Sequence, residues 1–301
     1  MSMFDPTRVQ LAIMPTCWVN DDFPLVGQGT SYQQIMSETA LAGFSGGSIS
    51  HTYPTDPALL REQLELRGLR ISEPWVSLYF TVADMADPTV EAFRRQVDLI
   101  TGLGGDRIVV AEFGQSVHLM PDVALMPNRP QFDDDRWRRL TDGVNELGKI
   151  AQEAGLKLCY HHHMGTGVQS RADVDRFLAH TDPSLVHLAL DTGHLTWAGD
   201  DVMDLARSHV DRIGHVHLKS VRREIIERAV AQRWSFFRGV MEGAFAVPGD
   251  GDLDFRPLLQ LLSDHGYQGW LSVEAEQDPT RHEPLAQAKR ARAYLREIIG
   301  W

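Results

Sequence analysis

The chain has 301 residues, of which 43% are hydrophobic and 23% charged, as in ordinary globular proteins. Its formal net charge of −12 disfavours binding to nucleic acid or to an anionic membrane, because both require a basic surface. The two cysteines form no disulfide framework, the polar first residues do not resemble a signal peptide, and no apolar run is long enough to span a bilayer, so we expect a cytoplasmic protein.

Short apolar runs alternate along the chain with longer segments of helical spacing. The apolar runs predict eight strands, over residues 9–14, 46–49, 69–80, 107–111, 156–160, 186–190, 213–218 and 270–273. Helical spacing predicts helices over residues 32–42, 57–67, 89–103, 134–154, 170–179, 201–208, 255–265 and 284–299. Apolar strands separated by helices indicate a parallel sheet covered on both faces. Eight such units predict an α/β fold, a single (β/α)8 TIM barrel over residues 1–301.

The longest irregular regions, residues 115–133 and an insertion at about 221–252, both follow predicted strands. This places them at the C-terminal mouth of the barrel, where long loops commonly shape a substrate pocket. The first half of the insertion, residues 222–239, has helical spacing. The insertion is predicted to be either a lid or a contact between subunits, and we expect a homo-oligomer that binds a small molecule.

Histidines, carboxylates and a lysine follow the last five predicted strands. They are Glu112 after the fourth strand, His161 and His163 after the fifth, Asp191 and His194 after the sixth, His217 and Lys219 after the seventh, and Glu274 and Glu276 after the eighth. Side chains alternate along a strand, so His161 and His163 lie on one side of theirs. Residues at this level of a barrel can converge on its axis, which is where the active sites of such barrels are found.

Each of these residues also has a purely structural interpretation. A single histidine at a strand end is more often a hydrogen-bonded polar residue than a ligand, Glu112 could pair with an arginine, and Lys219 could lie on the surface. Their joint occurrence at one end of a barrel favours a divalent-cation site instead. A mixed imidazole and carboxylate set suits Mn²⁺ or Co²⁺, with Zn²⁺ or Mg²⁺ as alternatives.

Three strings carry a resemblance to a known family. They are residues 160–167 (YHHHMGTG), residues 191–194 (DTGH) and residues 274–279 (EAEQDP). The chain resembles the sugar phosphate isomerase/epimerase superfamily, whose barrels are similar to xylose isomerase and endonuclease IV, and within it the inosose dehydratases of myo-inositol catabolism. The resemblance implies metal ligands at Asp191, His217 and Glu274. The superfamily's glutamate after the fifth strand falls at His161, so the fourth ligand is either His161 or Glu112.

The resemblance also implies an activity. Our hypothesis is a metal-dependent lyase that dehydrates 2-keto-myo-inositol, or a similar cyclic keto-polyol, through an enediolate. Glu112 or His163 would remove the proton, and His163, Lys219 or Glu276 would protonate the departing hydroxyl. The alternatives are a metal-dependent isomerase or epimerase of a ketose or inosose, and a non-catalytic sugar-binding barrel, which the clustered ionisable groups disfavour. The acidic net charge disfavours a role in DNA repair.

Overall fold

The computed structural model describes residues 2–301, in which nine strands form one parallel sheet. These strands are β1 (Val9–Ile13), β2 (Gly46–Gly47), β3 (Arg70–Ile71), β4 (Trp75–Leu78), β5 (Arg107–Glu112), β6 (Lys157–His161), β7 (Val186–Asp191), β8 (Ile213–Leu218) and β11 (Gly269–Val273). A separate two-stranded antiparallel sheet pairs β9 (Ser220–Val221) with β10 (Phe245–Ala246). The sheet order β3-β2-β1-β11-β8-β7-β6-β5-β4 confirms the predicted barrel.

The barrel closes through an interrupted strand. The end strands of the sheet, β3 and β4, are separated in the chain by only residues 72–74. The prediction of one strand over residues 69–80 is therefore wrong, because β3 pairs with β2 while β4 pairs with β5. Pro74 in the interruption has no N–H to donate to a ladder, which accounts for the break.

Twelve α-helices accompany the strands. They are α1 (Tyr32–Leu41), α2 (Pro57–Glu65), α3 (Ala86–Gly102), α4 (Leu125–Asn128), α5 (Asp134–Glu153), α6 (Arg171–Ala179), α7 (Thr192–Ala198), α8 (Val202–His209), α9 (Arg223–Ala231), α10 (Phe236–Met241), α11 (Arg256–Asp264) and α12 (Pro284–Ile299). Eight of them coincide with predicted helices, α9 and α10 lie in the part of the insertion that has helical spacing, and α4 and α7 are additional helices in the loops that follow strands. Asp56, Asp133 and Asp201 begin α2, α5 and α8 by accepting backbone N–H groups of the first turn. None of the helices of residues 2–301 is both long and apolar enough to cross a bilayer.

The mouth insertion packs against the barrel mouth rather than extending away from it. A hydrophobic cluster joins helices α9 and α10 and the β9–β10 strand pair to residues that follow neighbouring strands, among them Val117, Met164 and Trp197. Phe236 of α10 and Phe245 of β10 are fully buried in this cluster. The insertion therefore supplies an apolar wall beside the ends of β6 and β7.

Candidate active site

Four predicted metal ligands converge at the C-terminal ends of neighbouring strands. His161 ends β6, Asp191 ends β7, His217 lies near the end of β8 and Glu274 follows β11. Each offers one ligand atom, and these four atoms all lie within 4.8 Å of one another. All four side chains are buried, so the cluster sits inside the barrel mouth and not on its rim.

The four facing atoms lack hydrogen bonds within the described chain, which is the strongest feature of the cluster. These atoms are His161 Nε2, Asp191 Oδ2, His217 Nδ1 and Glu274 Oε2. His217 Nδ1 lies 2.9 Å from Glu274 Oε2, and His161 Nε2 lies 3.5 Å from Asp191 Oδ2, without hydrogen-bond geometry. The Lys219 ammonium lies 3.0 Å from Glu274 Oε2 and 3.5 Å from Asp191 Oδ2, so the two imidazole nitrogens are the atoms that lack a cationic partner. Burying a polar atom without a hydrogen bond costs about 1–3 kcal/mol, so a further group that binds these atoms is expected there. Two imidazole nitrogens and two carboxylate oxygens fit a divalent transition metal.

Glu112 does not join this cluster, although it was an alternative for the fourth ligand. Its carboxylate accepts the backbone N–H groups of Phe80 (2.9 Å), Thr81 (3.3 Å) and Gly114 (3.0 Å), and the Thr81 hydroxyl (2.8 Å). Among residues 2–301, Glu112 is not one of those that line the cavity at the barrel mouth. The structure thus gives Glu112 a structural task, which is to hold the loops after β4 and β5 together.

We expect Glu112→Gln to destabilise the fold without weakening metal binding. The amide NH₂ would face N–H donors that now have an acceptor, at a cost of about 1–3 kcal/mol in the free energy of unfolding. Thermal unfolding measures the loss, and Co²⁺ titration of the folded variant measures the affinity. A folded Glu112→Gln protein that no longer binds Co²⁺ would place Glu112 among the ligands after all.

A second group of titratable residues lies against the first. His163, His194 and Glu276 also offer atoms within 4.8 Å of one another. Lys219 joins the two groups, because its Nζ lies 2.9 Å from His194 Nε2, 3.0 Å from Glu276 Oε2 and 3.0 Å from Glu274 Oε2. Burial raises the pKa of Glu276 to about 7, although the Lys219 ammonium acts in the opposite direction.

Lys219 is fully buried and charged. Burial disfavours its ammonium, but Asp191, Glu274 and Glu276 outweigh that effect and hold the pKa of Lys219 above its ordinary value. The ammonium also lies 4.7 Å from the centre of the Phe245 ring, a cation–π contact supplied by the insertion. Its aliphatic stem passes so close to α7 that a Cβ at position 193 would lie 2.6 Å from Lys219 Cγ, which explains the glycine of the DTGH string.

His163 is held as a neutral imidazole with one free nitrogen. Its Nδ1 lies 2.8 Å from the carbonyl oxygen of Met164, so Nδ1 carries the proton and Nε2 keeps its lone pair. Burial and the neighbouring His118 ring lower the pKa of His163 well below its ordinary value. His118 was missed by the sequence analysis. It is buried, its ring centre lies 4.8 Å from that of His163, and its position in the loop at residues 115–133 was the available signal.

One cavity at the barrel mouth is lined by residues of both groups. His161, His163, His194, His217, Glu274 and Glu276 line its floor. Trp75 and the loop at residues 20–22 after β1 also line it. The side-chain oxygen of Asn20, Oδ1, accepts the backbone N–H groups of Asp22 (2.8 Å) and Phe23 (3.0 Å). Its side-chain nitrogen is buried and has no hydrogen-bond partner within residues 2–301. That nitrogen is a ready donor to a hydroxyl group.

Glu73 is a further buried carboxylate that the sequence analysis missed. It lies in the interruption between β3 and β4, and its carboxylate contacts His215 and His217. An acidic residue directly before Pro74, inside an apolar run, was a signal that this strand is broken and that the acid has a specific partner.

A model of the family described as xylose isomerase-like TIM barrel matches residues 36–298. The chain is 42% identical over 298 residues to the inosose dehydratase of Bacillus anthracis (strain CDC 684 / NRRL 3495), covering 99% of this chain and 100% of that one. The chain belongs to the inosose dehydratase family. The inosose dehydratase of Clostridium tetani (strain Massachusetts / E88) is 41% identical over 295 residues, covering 98% and 99%.

Solved structures support the fold at much lower identity. The IOLI protein, solved with a binding zinc atom, has a TM-score of 0.72 and 14% identity over 97% of this chain and 98% of that one. An L-ribulose 3-epimerase has a TM-score of 0.71 and 19% identity, over 97% and 95%. The predicted family and barrel are therefore confirmed, and the alternatives within the superfamily share the same architecture.

Proposed function

We propose that this protein is a cytoplasmic, metal-dependent hydro-lyase of inositol catabolism that removes water from 2-keto-myo-inositol or a similar cyclic keto-polyol. The relatives at 41–42% identity over nearly the whole chain are named inosose dehydratases. The observation that carries the proposal is the convergence of four ligand atoms without hydrogen bonds beside a cavity that His163 and Glu276 also line, with Lys219 in contact with Glu276. Dehydration needs a Lewis acid, a base and an acid at one place, and this cavity offers residues for all three.

His161, Asp191, His217 and Glu274 would hold the cation, for which Mn²⁺ or Co²⁺ suits the donor set. When bound, the cation supplies Lewis acidity toward the ketone oxygen of the substrate. The carbon–hydrogen bond next to a polarised ketone becomes acidic, and the charge left on its loss is shared with the ketone oxygen.

His163 is our choice for the base. Its Nδ1 is engaged by the Met164 carbonyl, so Nε2 accepts a proton from the carbon next to the ketone. The electron pair of that carbon–hydrogen bond becomes a carbon–carbon double bond, and the hydroxyl on the following carbon leaves. The resulting enol tautomerises to a dione, so the net change is the loss of one water.

The departing hydroxyl needs a proton, and we assign its supply to the Lys219–Glu276 pair. Nζ of Lys219 is the donor in its contact with Glu276 at 3.0 Å, and Glu276 lines the cavity. The Asn20 amide nitrogen, which has no hydrogen-bond partner and belongs to a residue that lines the same cavity, would bind and orient a substrate hydroxyl.

The test is turnover of 2-keto-myo-inositol by protein that has been stripped of metal and then reloaded with Mn²⁺ or Co²⁺. We expect no turnover by the stripped protein, and after reloading a product that has lost one water and shows the absorbance of a dione. A product of unchanged mass and new stereochemistry would support the isomerase or epimerase alternative, in which the same cavity moves a proton without losing the hydroxyl. Full turnover by stripped protein would contradict the metal-dependent mechanism.

A further inference from the structure

Glu73 contacts one of the proposed metal ligands, His217, inside the barrel. Its side chain is completely buried, and Oε1 lies 3.3 Å from His217 Nε2 and 3.3 Å from His215 Nε2. The hydroxyl of Ser272 lies 3.4 Å from Oε2. Ser272 and His215 belong to β11 and β8, so Glu73 crosses from the interrupted strand to the opposite side of the barrel.

The two nitrogens of His217 face different partners. Nδ1 is turned to Asp191 and Glu274, at 3.7 Å and 2.9 Å, and is one of the four converging atoms. Nε2 is turned to Glu73, which as a carboxylate can only accept a hydrogen bond. A proton on Nε2 satisfies that contact and leaves the lone pair of Nδ1 free for a cation.

We propose that Glu73 is a positioning residue of the metal site, which fixes the tautomer and orientation of His217 and increases the basicity of its Nδ1. The inference rests on the metal site proposed above, and it does not depend on which reaction the site catalyses. A carboxylate behind a metal-binding histidine has this effect in metal sites generally, because the shared proton makes the imidazole a stronger donor.

The surroundings of Glu73 support a role tied to the cation. Within residues 2–301, Glu73 forms ion pairs with two imidazoles and with no lysine or arginine. A fully buried carboxylate without a permanent cation beside it is costly. A divalent cation on the far side of the His217 ring would stabilise that negative charge through the shared ring, which links the interrupted strand to metal binding.

The test compares three proteins by Co²⁺ titration against a chelating indicator and by visible absorption of the bound Co²⁺. Glu73→Gln keeps the size of the side chain and loses its charge, and we expect about 10- to 100-fold weaker Co²⁺ binding and a changed Co²⁺ spectrum. Glu112→Gln is the matched control, since Glu112 is an equally buried carboxylate whose hydrogen bonds go to a loop. It should lose stability yet keep the affinity and the spectrum of the wild-type protein.

A second measurement needs no variant. In Zn²⁺-loaded wild-type protein, nitrogen NMR of the histidine rings should show His217 protonated at Nε2 and bound to the metal, without a proton, at Nδ1. A proton on Nδ1, or a folded Glu73→Gln protein with wild-type affinity and spectrum, would overturn the role of Glu73. Wild-type protein that binds neither Co²⁺ nor Zn²⁺ would instead overturn the proposed metal site itself.

Discussion

Asp191→Asn is expected to abolish divalent-metal binding and to lower kcat/KM by about 10³-fold or more while the barrel stays folded. The two oxygens of Asp191 have separate tasks. Oδ1 accepts the backbone N–H of His194 at 2.6 Å and so begins α7, whereas Oδ2 is one of the four converging atoms of the cluster and has no hydrogen bond. Asparagine keeps an oxygen for the helix and replaces the metal-facing oxygen by an NH₂ group, which cannot bind a cation.

Asp201→Asn is the control for this substitution. Asp201 also begins a helix, because its Oδ1 accepts the N–H of Asp204 at 2.8 Å, but it is exposed and not among the residues of the cluster. Calorimetric titration with Mn²⁺ or Co²⁺ and turnover assays on both variants separate capping from ligation. Stoichiometric metal binding by Asp191→Asn, with an unchanged dissociation constant, would remove Asp191 from the ligand set.

The sequence pattern predicted the larger group of residues from which the main cluster is drawn, because in a parallel barrel the C-terminal ends of apolar runs meet at one level. The family resemblance selected Asp191, His217 and Glu274 from that group, and the choice between His161 and Glu112 stayed open. The period of two along a strand also places His217 and Lys219 on one side of β8 and its continuation, and both are in the site. Local pattern and strand direction carry this information directly.

The remaining features depend on contacts between residues far apart in the chain. Glu112 ends β5 as predicted, but whether its carboxylate turns to the cavity or to a loop depends on the N–H groups of Phe80, Thr81 and Gly114. Glu73 contacts His217, which is 144 residues away in the chain. It does so from the interruption between β3 and β4, which the alternation of apolar residues alone does not predict. Which partner each carboxylate binds depends on contacts that form only when the barrel is closed.

Lys219 offers the sharpest separation of metal binding from chemistry. Its ammonium lies 3.0 Å from Glu274 Oε2 and 3.5 Å from Asp191 Oδ2, so it neutralises two of the proposed ligands, and it also contacts Glu276. A cation entering the cluster must share these carboxylates with Lys219. Removing the ammonium therefore removes a competing positive charge, and at the same time removes the donor proposed for the departing hydroxyl.

Lys219→Met is therefore expected to bind Co²⁺ at least as tightly as the wild-type protein while kcat falls by about 10²- to 10⁴-fold. Methionine fills the space of the stem but leaves the buried carboxylates without their partner, so Co²⁺ should raise the unfolding temperature of the variant more than that of the wild-type protein. Lys157→Met, at the opposite end of the barrel where β6 begins, is the control and should change neither quantity. If Lys219→Met loses metal affinity in proportion to turnover, Lys219 acts by holding the ligands in place; if it keeps wild-type kcat, another group protonates the hydroxyl.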